Sequence, residues 1–320
     1  MAKIVIIGLG HVGLSYLEKL VFDKSISGEV VLIDKDVERL KGEILDLEQG
    51  MTLIDSSLTI KIGNYQALND ADICVLALGL PQSKKSRLED LAGASKMVKE
   101  VTDSIANTSF NGIILVATNP VDVISQLTAT YLSYPYQKVI GTGTMLDTIR
   151  LKSLISKKIN ISSNDINLYV LGEHGNSQFV YYNNANIAMS SLKNYLTKEE
   201  KDEFSSITKK MGGMIVNAKG YTSHGVSCCL LELTKVILND EKKIYAKPNE
   251  RTGEAEQGTL KFYSDMEVMV EGRKDFKPGD IDKFTIVIFI EGDDPDCIDA
   301  LIGGEMKMHM EITEEHIKQD

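Results

Sequence analysis

The strongest constraint on this chain lies in its opening residues. Lys3-Ile4-Val5-Ile6-Ile7 is an apolar run that calls for burial on both faces. It passes through Gly8-Leu9-Gly10-His11-Val12-Gly13 into a helical pattern from Leu14 to Leu20. Strand, glycine turn and helix in this order form a phosphate cradle. Gly8 permits the sharp turn, Gly10 lets the backbone approach a pyrophosphate, Gly13 allows close helix-to-strand packing, and the first N–H groups of the helix face the anion. A second apolar run, Glu29-Val30-Val31-Leu32-Ile33, ends in Asp34, at about the twenty-residue spacing the motif requires. Asp34 can accept hydrogen bonds from both ribose hydroxyls and repels a 2′-phosphate, which favours NAD over NADP as the cofactor.

The same alternation continues. Strands are expected at 58–62, 72–78, 112–118 and 138–140, with helices at 36–49, 88–107, 121–131 and 145–157. That order reads as an α/β fold, a doubly wound parallel Rossmann sheet whose right-handed crossovers put the strand carboxyl ends along one edge. Gly8, Asp34, Gly79 and Asn119 all fall at those ends. With 320 residues, 43% of them hydrophobic, the chain can bury two cores. The expected division is an NAD-binding domain over 1–159, a smaller α+β substrate domain over 160–247, and an atypical β-rich tail over 248–320.

A formal net charge of −11 without a concentrated basic stripe argues against nucleic acid or an anionic membrane surface as partner. The chain opens directly in a core strand, with no export segment and no apolar run near membrane-spanning length, so a cytoplasmic location is expected. Cys74, Cys228, Cys229 and Cys297 lack metal-ligand spacing. Cys74 falls in a core strand and the adjacent pair in a helix, so they are read as reduced packing residues. The acidic group Glu291, Asp293, Asp294 and Asp296 lacks the spacing of a calcium loop and reads as a solvated turn, so no metal is expected.

The chemistry concentrates in Gly172-Glu173-His174-Gly175-Asn176-Ser177, directly after the apolar strand Ile166 to Leu171. A histidine on a strand-end turn, at the edge where open α/β sheets bind ligands, can move a proton near neutral pH. Asp147 and Arg150 lie on one face of a helix. They form a local ion pair, or else Arg150 presents its planar fork to a substrate carboxylate while Asp147 orients His174 and stabilises its protonated form. Arg87 follows the polar loop Gln82-Ser83-Lys84-Lys85-Ser86. It is either part of a solvated connection or a lid residue that closes and polarises a carbonyl.

These segments together carry a family resemblance. The glycine turn, Ala117-Thr118-Asn119-Pro120-Val121-Asp122, the stretch from Gly141 to Arg150, the His174 turn and Lys219-Gly220-Tyr221-Thr222-Ser223 are similar to NAD-dependent L-lactate and L-2-hydroxyacid dehydrogenases of the lactate/malate dehydrogenase family. The stretches 141–150, 172–180 and 220–223 resemble L-2-hydroxyisocaproate dehydrogenase. The resemblance implies His174 as proton donor and acceptor, Asp147 as its orienting partner, Arg87 as the carbonyl-polarising lid residue and Arg150 as the carboxylate anchor. It places Asn119 and Thr222 at the substrate. Gly8, Gly10, His11, Val12, Gly13, Asp34, Gly79 and Asn119 would hold the NAD. Gln82 stands shortly after Gly79, where lactate dehydrogenases carry glutamine and malate dehydrogenases carry arginine, so pyruvate is favoured over oxaloacetate. A homodimer or homotetramer is implied, because oligomers are the rule in that family.

Beyond about Lys247 the motifs stop. A polar segment, Pro248 to Glu254, is followed by strand-like runs at 266–270, 284–290 and 306–312. Two readings follow. In the first, the chain is an active 2-oxo acid reductase, for pyruvate or for a malate-type or hydroxyisocaproate-type substrate. In the second, it is a hybrid or decayed chain that binds NAD without a complete substrate domain.

Overall fold

Side chains of β1 (Ala2–Ile7) alternate between two apolar layers. Ile4 and Ile6 pack in one hydrophobic cluster, Val5 and Ile7 in another, so the strand is buried on both faces, as its apolar run demands. The computed structural model describes residues 2–79, 87–188 and 190–240, with the side chains of residues 87–92 and 184 outside the description. β2 (Ser27–Ile33), β3 (Ser57–Ile62), β4 (Ile73–Leu76), β5 (Ile113–Val116) and β6 (Val139–Gly141) join β1 in a six-stranded sheet of order β3-β2-β1-β4-β5-β6. Every pairing in it is parallel. The strand order reverses beside β1, so the glycine turn at the end of β1 lies at the switch point where doubly wound sheets bind ligands.

Helices cover both faces. α1 (His11–Phe22) and α2 (Val37–Met51) contribute Tyr16, Leu17, Leu20 and Leu40 to the first layer. α3 (Arg87–Ala106) and α4 (Val121–Leu132) contribute Val98, Ile105 and Ile124 to the second. β4 and β5 are shorter than the apolar runs 72–78 and 112–118 suggest. The ladder ends because Leu78 N–H donates to Thr118 Oγ1 at 2.8 Å, a side chain competing for the backbone just past the strand.

α5 (Met145–Ile159) leads to Asn160, which closes the helix in the left-handed region at φ 54°. A three-stranded antiparallel sheet follows, with β7 (Ile166–Leu171), β8 (Phe179–Ile187) and β9 (Ser190–Ser191) in sequence order. β7 alternates strictly, and Ile166, Leu168 and Val170 pack on Leu151 and Ile155 of α5. α6 (Lys198–Lys219) starts with a capping box between Thr197 and Glu200. α7 (His224–Leu238) then returns to the first sheet and packs on α1. Tyr16 pairs its hydroxyl with Thr234 at 2.5 Å, Ser15 with Ser227 at 3.0 Å, and Lys235 with Asp23 at 3.1 Å.

One expectation needs correcting. Cys74 and Cys229 are buried packing residues, and burial raises the Cys74 thiol and pushes the Cys229 thiol up to about 12, but Cys228 is exposed. The buried face of α7 runs through Val226, Ser227, Cys229, Leu230, Leu233 and Thr234 at three-to-four-residue spacing, and Cys228 falls outside that stripe. Cys297, the acidic group at 291–296 and the three strand-like runs of the tail lie outside the described residues. Among the described residues, no helix is long and apolar enough to cross a membrane.

The glycine geometry yields a paired expectation. A Cβ on Gly13 would stand 2.2 Å from Gly8 O, whereas one on Gly42, exposed within α2, meets nothing within 4 Å. Gly13→Ala should therefore lower stability by about 1–3 kcal/mol. Gly42→Ala should raise it by roughly 0.5–1 kcal/mol, because alanine loses less backbone freedom in a helix. Urea unfolding of both variants checks the opposite signs.

Candidate active site

The phosphate turn is built by backbone crowding. Gly8 adopts φ 93°, and a Cβ there would lie 2.6 Å from Ala77 O. With the contact at Gly13, this leaves no room for side chains on the inner side of the turn. Above Gly10 an added Cβ meets nothing within 4 Å among the described residues, which gives the room a nucleotide pyrophosphate needs. Asp34, at the end of β2, accepts from Leu9 N–H at 2.6 Å and from Asp36 N–H at 3.0 Å, so its carboxylate is fixed beside the turn with acceptor capacity to spare. Arg39 donates to Leu9 O at 2.8 Å and stands 3.6 Å from Asp34, bracing the same corner from α2. These features fit a dinucleotide, with Gly8 to Gly13 at the phosphates and Asp34 at a ribose.

A buried carboxylate organises the other half of the site. Asp147 lies in the first turn of α5, where the helix dipole favours a negative charge. Its Oδ1 is 3.2 Å from Arg150 Nη1 and its Oδ2 is 2.5 Å from His174 Nδ1. The two readings of this pair are therefore compatible, because each oxygen serves a different partner. The Asp147 side chain is 2% exposed and that of Arg150 10%, so neither charge has bulk water to fall back on. Arg150 also keeps a buried Nε with no hydrogen-bond partner among the described residues. Gly212 on α6 sits against the guanidinium, and even a Cβ there would come within 3.5 Å of two of its nitrogens.

His174 is held by few contacts. β7 is docked on α5 through Val170 N–H, which donates to Thr148 Oγ1 at 3.0 Å, and the chain then turns at Gly172, φ 90°. His174 N–H donates to Asp122 Oδ2 at 2.8 Å, and Lys209 Nζ donates to Asn176 O at 2.9 Å from α6. With Nδ1 committed to Asp147, Nε2 is the ring atom left to exchange a proton. Burial pushes the Asp122 carboxyl above the ordinary carboxylate range, partly offset by the bond from His174 N–H.

The structure brings Asp147, Arg150 and His174 together, and separately gathers the glycine turn with Asp34. Thr222, half-buried between α6 and α7, is carried next to that turn, because its neighbour Tyr221 stacks on His11 with ring centroids 3.7 Å apart. Val12 packs with Leu146 and Val226. Gly79 and Asn119 lie exposed, just past β4 and β5 respectively. Gln82 and the side chain of Arg87 lie outside the described residues; Arg87 is the first residue of α3. Residue-by-residue reading missed Asp122, Arg39 and Tyr221. An acid in the first turn of a helix reads locally as a dipole partner, and nothing in the sequence points to a donor 52 positions away. Among the described residues, no group of three or more His, Cys, Asp or Glu could hold a metal.

Comparison with known proteins gives a consistent set of relatives. Residues 2–141 match the family model for the lactate/malate dehydrogenase NAD binding domain, and residues 144–284 match the model for the alpha/beta C-terminal domain of the same family. The second match runs past Lys247. An L-lactate dehydrogenase of Borrelia turicatae is 35% identical over 248 residues, 76% of this chain and 78% of that protein. An L-lactate dehydrogenase of Mesoplasma florum is 32% identical over 274 residues, 84% of this chain and 86% of that protein. Among solved structures, a lactate dehydrogenase from a deep-sea metagenome library superposes with a TM-score of 0.74 at 33% identity, covering 76% of this chain and 80% of that one.

The buried charges give a direct expectation for stability. Asp147→Ala removes the partner of a desolvated guanidinium and should cost about 3–5 kcal/mol. Asp147→Asn fills the same space and still accepts one hydrogen bond, so it should cost less. Equal losses for the two, measured by chemical denaturation at neutral pH, would show that the Arg150 charge does not depend on this pairing.

Proposed function

Because the chain belongs to the lactate/malate dehydrogenase family, we propose that it reduces pyruvate to L-lactate with NADH. Membership makes it an NAD-dependent oxidoreductase of the L-lactate dehydrogenase-like 2-hydroxyacid class; the choice of pyruvate, and the residue roles below, are the proposal. The observation that supports them best is the division of Asp147 between His174 and Arg150, which sets a proton-exchanging imidazole beside an anion-binding guanidinium.

In this reading the substrate carboxylate binds Arg150, whose unpartnered Nε is a donor in want of an acceptor. Bound NADH supplies the hydride that reaches the carbonyl carbon. Protonated His174 gives its Nε2 proton to the carbonyl oxygen and is left neutral, and Asp147 stabilises the imidazolium until that transfer. Arg87 polarises the carbonyl, Gln82 meets the substrate's methyl end as a neutral amide, and Asn119 and Thr222 complete the pocket. Gly8, Gly10, His11, Val12, Gly13, Asp34, Gly79 and Asn119 hold the cofactor. Residues 1–159 carry the nucleotide together with Gln82, Arg87, Asn119 and Arg150 at the substrate, residues 160–247 supply His174 and Thr222, and the protein works in the cytoplasm. Self-association as a dimer or tetramer belongs to the same reading, since Leu45 and Leu53 near α2, and Met214 and Val216 on α6, are large apolar side chains left exposed.

The test follows NADH loss by absorbance with pyruvate, oxaloacetate and longer 2-oxo acids. Pyruvate should show the highest kcat/KM, and His174→Asn should lower kcat by about 10²–10⁴ while NADH binding is retained. NADH fluorescence reads that binding without indole background, because the chain has no tryptophan. A His174→Asn variant as active as its parent removes the proposed proton donor, and a clear preference for another oxo acid removes pyruvate.

Cofactor choice is tested separately at Asp34. NADH should be preferred over NADPH, and Asp34→Ser should narrow the gap by about tenfold or more, since it removes a negative charge beside the ribose. Equal use of both cofactors by the unmodified chain would contradict that role.

A further inference from the structure

We infer that Asp122 is a positioning residue for His174, setting the imidazole by holding the backbone of its turn. The inference rests on the proton-transfer role proposed for His174. Residues 173 and 175–177 are exposed, so the turn has little packing of its own to hold it. Its hydrogen-bond anchors are the Asp147 contact to the ring, the exposed Lys209 contact to Asn176 O, the local bond from Ser177 to Glu173, and the bond from His174 N–H to Asp122 Oδ2 at 2.8 Å. Among the described residues, only the last fixes the main chain from a buried group, since Asp122 is 8% exposed. The ring contact alone leaves the histidine free to swing about the Asp147 oxygen. Fixing the main chain as well leaves the ring one position.

The same bond ties two parts of the site together. Asp122 lies in the first turn of α4, two residues after Pro120, so its carboxylate couples the segment that follows β5 to the turn that follows β7. Asn119 and His174 are thereby held in one frame although they belong to different sheets. Among the described residues Asp122 Oδ1 is buried without a hydrogen-bond partner, and burial raises the carboxyl, so the side chain sits there at an energetic cost. A carboxylate kept in so unfavourable a place is one whose geometry matters. Among the described residues, the charged groups around the His174 turn are Asp147, with its partner Arg150, from α5, Asp122 from α4, Glu173 of the turn itself and Lys209 from α6.

Asp122→Ala removes both acceptor and charge, whereas Asp122→Asn keeps the acceptor and removes only the charge. If the role is positioning, Asp122→Ala should lower kcat about tenfold to a hundredfold with NADH affinity unchanged. Asp122→Asn should restore most of that loss. An activity-free readout accompanies this one. The His174 imidazole resonance, assigned by its disappearance in His174→Asn, should shift and broaden in Asp122→Ala and stay sharp in Asp122→Asn. If the unmodified chain reduces no 2-oxo acid, the reading of the reaction fails, and the resonance alone still decides the positioning. Asp122→Asn as impaired as Asp122→Ala, or an unchanged His174 resonance in Asp122→Ala, overturns the inference.

Discussion

Two oxygens of one carboxylate hold the centre of this molecule together. Asp147 receives Arg150 from its own helix and His174 from a turn in another sheet, and it does so out of reach of bulk water. A buried cation and anion in contact are only marginally favourable as a pair, but either one alone is strongly unfavourable. The second oxygen of that buried carboxylate, in contact with His174 Nδ1, holds the His174 turn against α5. Through Thr148 and the apolar contacts of β7, the same helix also sets the position of the second sheet. The chemistry and the architecture therefore share one helix.

The cofactor side is organised by crowding rather than by charge. Gly13 backs onto Gly8 and Gly8 onto Ala77 so closely that a methyl group would force strand and helix apart. The one glycine of the turn with free space above it is the one that faces the opening. Asp34 and Arg39 then lock the outer edge of the turn through Leu9, using its N–H and its C=O. In the role proposed for it, the turn is already shaped for a nucleotide, which leaves little ordering to be done on binding.

Much of this was legible in the sequence because the signals are local. Short apolar runs and helical apolar patterns placed β1 to β7 and α1 to α5, and the glycine turn followed by Asp34 marked the expected cradle. Where prediction and structure differ, a long-range partner intervenes. Thr118 ends the strand ladder early, Cys228 falls outside while Cys229 falls inside, and Asp122 finds its donor 52 residues away. Asp147 was the instructive middle case. Spacing showed that it could reach Arg150, and only the fold shows that a second oxygen is free for His174.

The packing of α7 on α1 bears on the order in which the protein can be made. Tyr16 is fully buried, and its hydroxyl finds its partner in Thr234, 218 residues further along; Leu17 and Leu20 share a cluster with Leu230 and Leu233. On the ribosome, the nucleotide-binding half emerges long before α7 does. Until then α1 carries an apolar flank and an unmatched phenol that later residues are meant to cover. The first half leaves part of its apolar surface for the second to cover, and α1, the helix proposed to face the phosphates, is completed by one of the last described pieces to be synthesised.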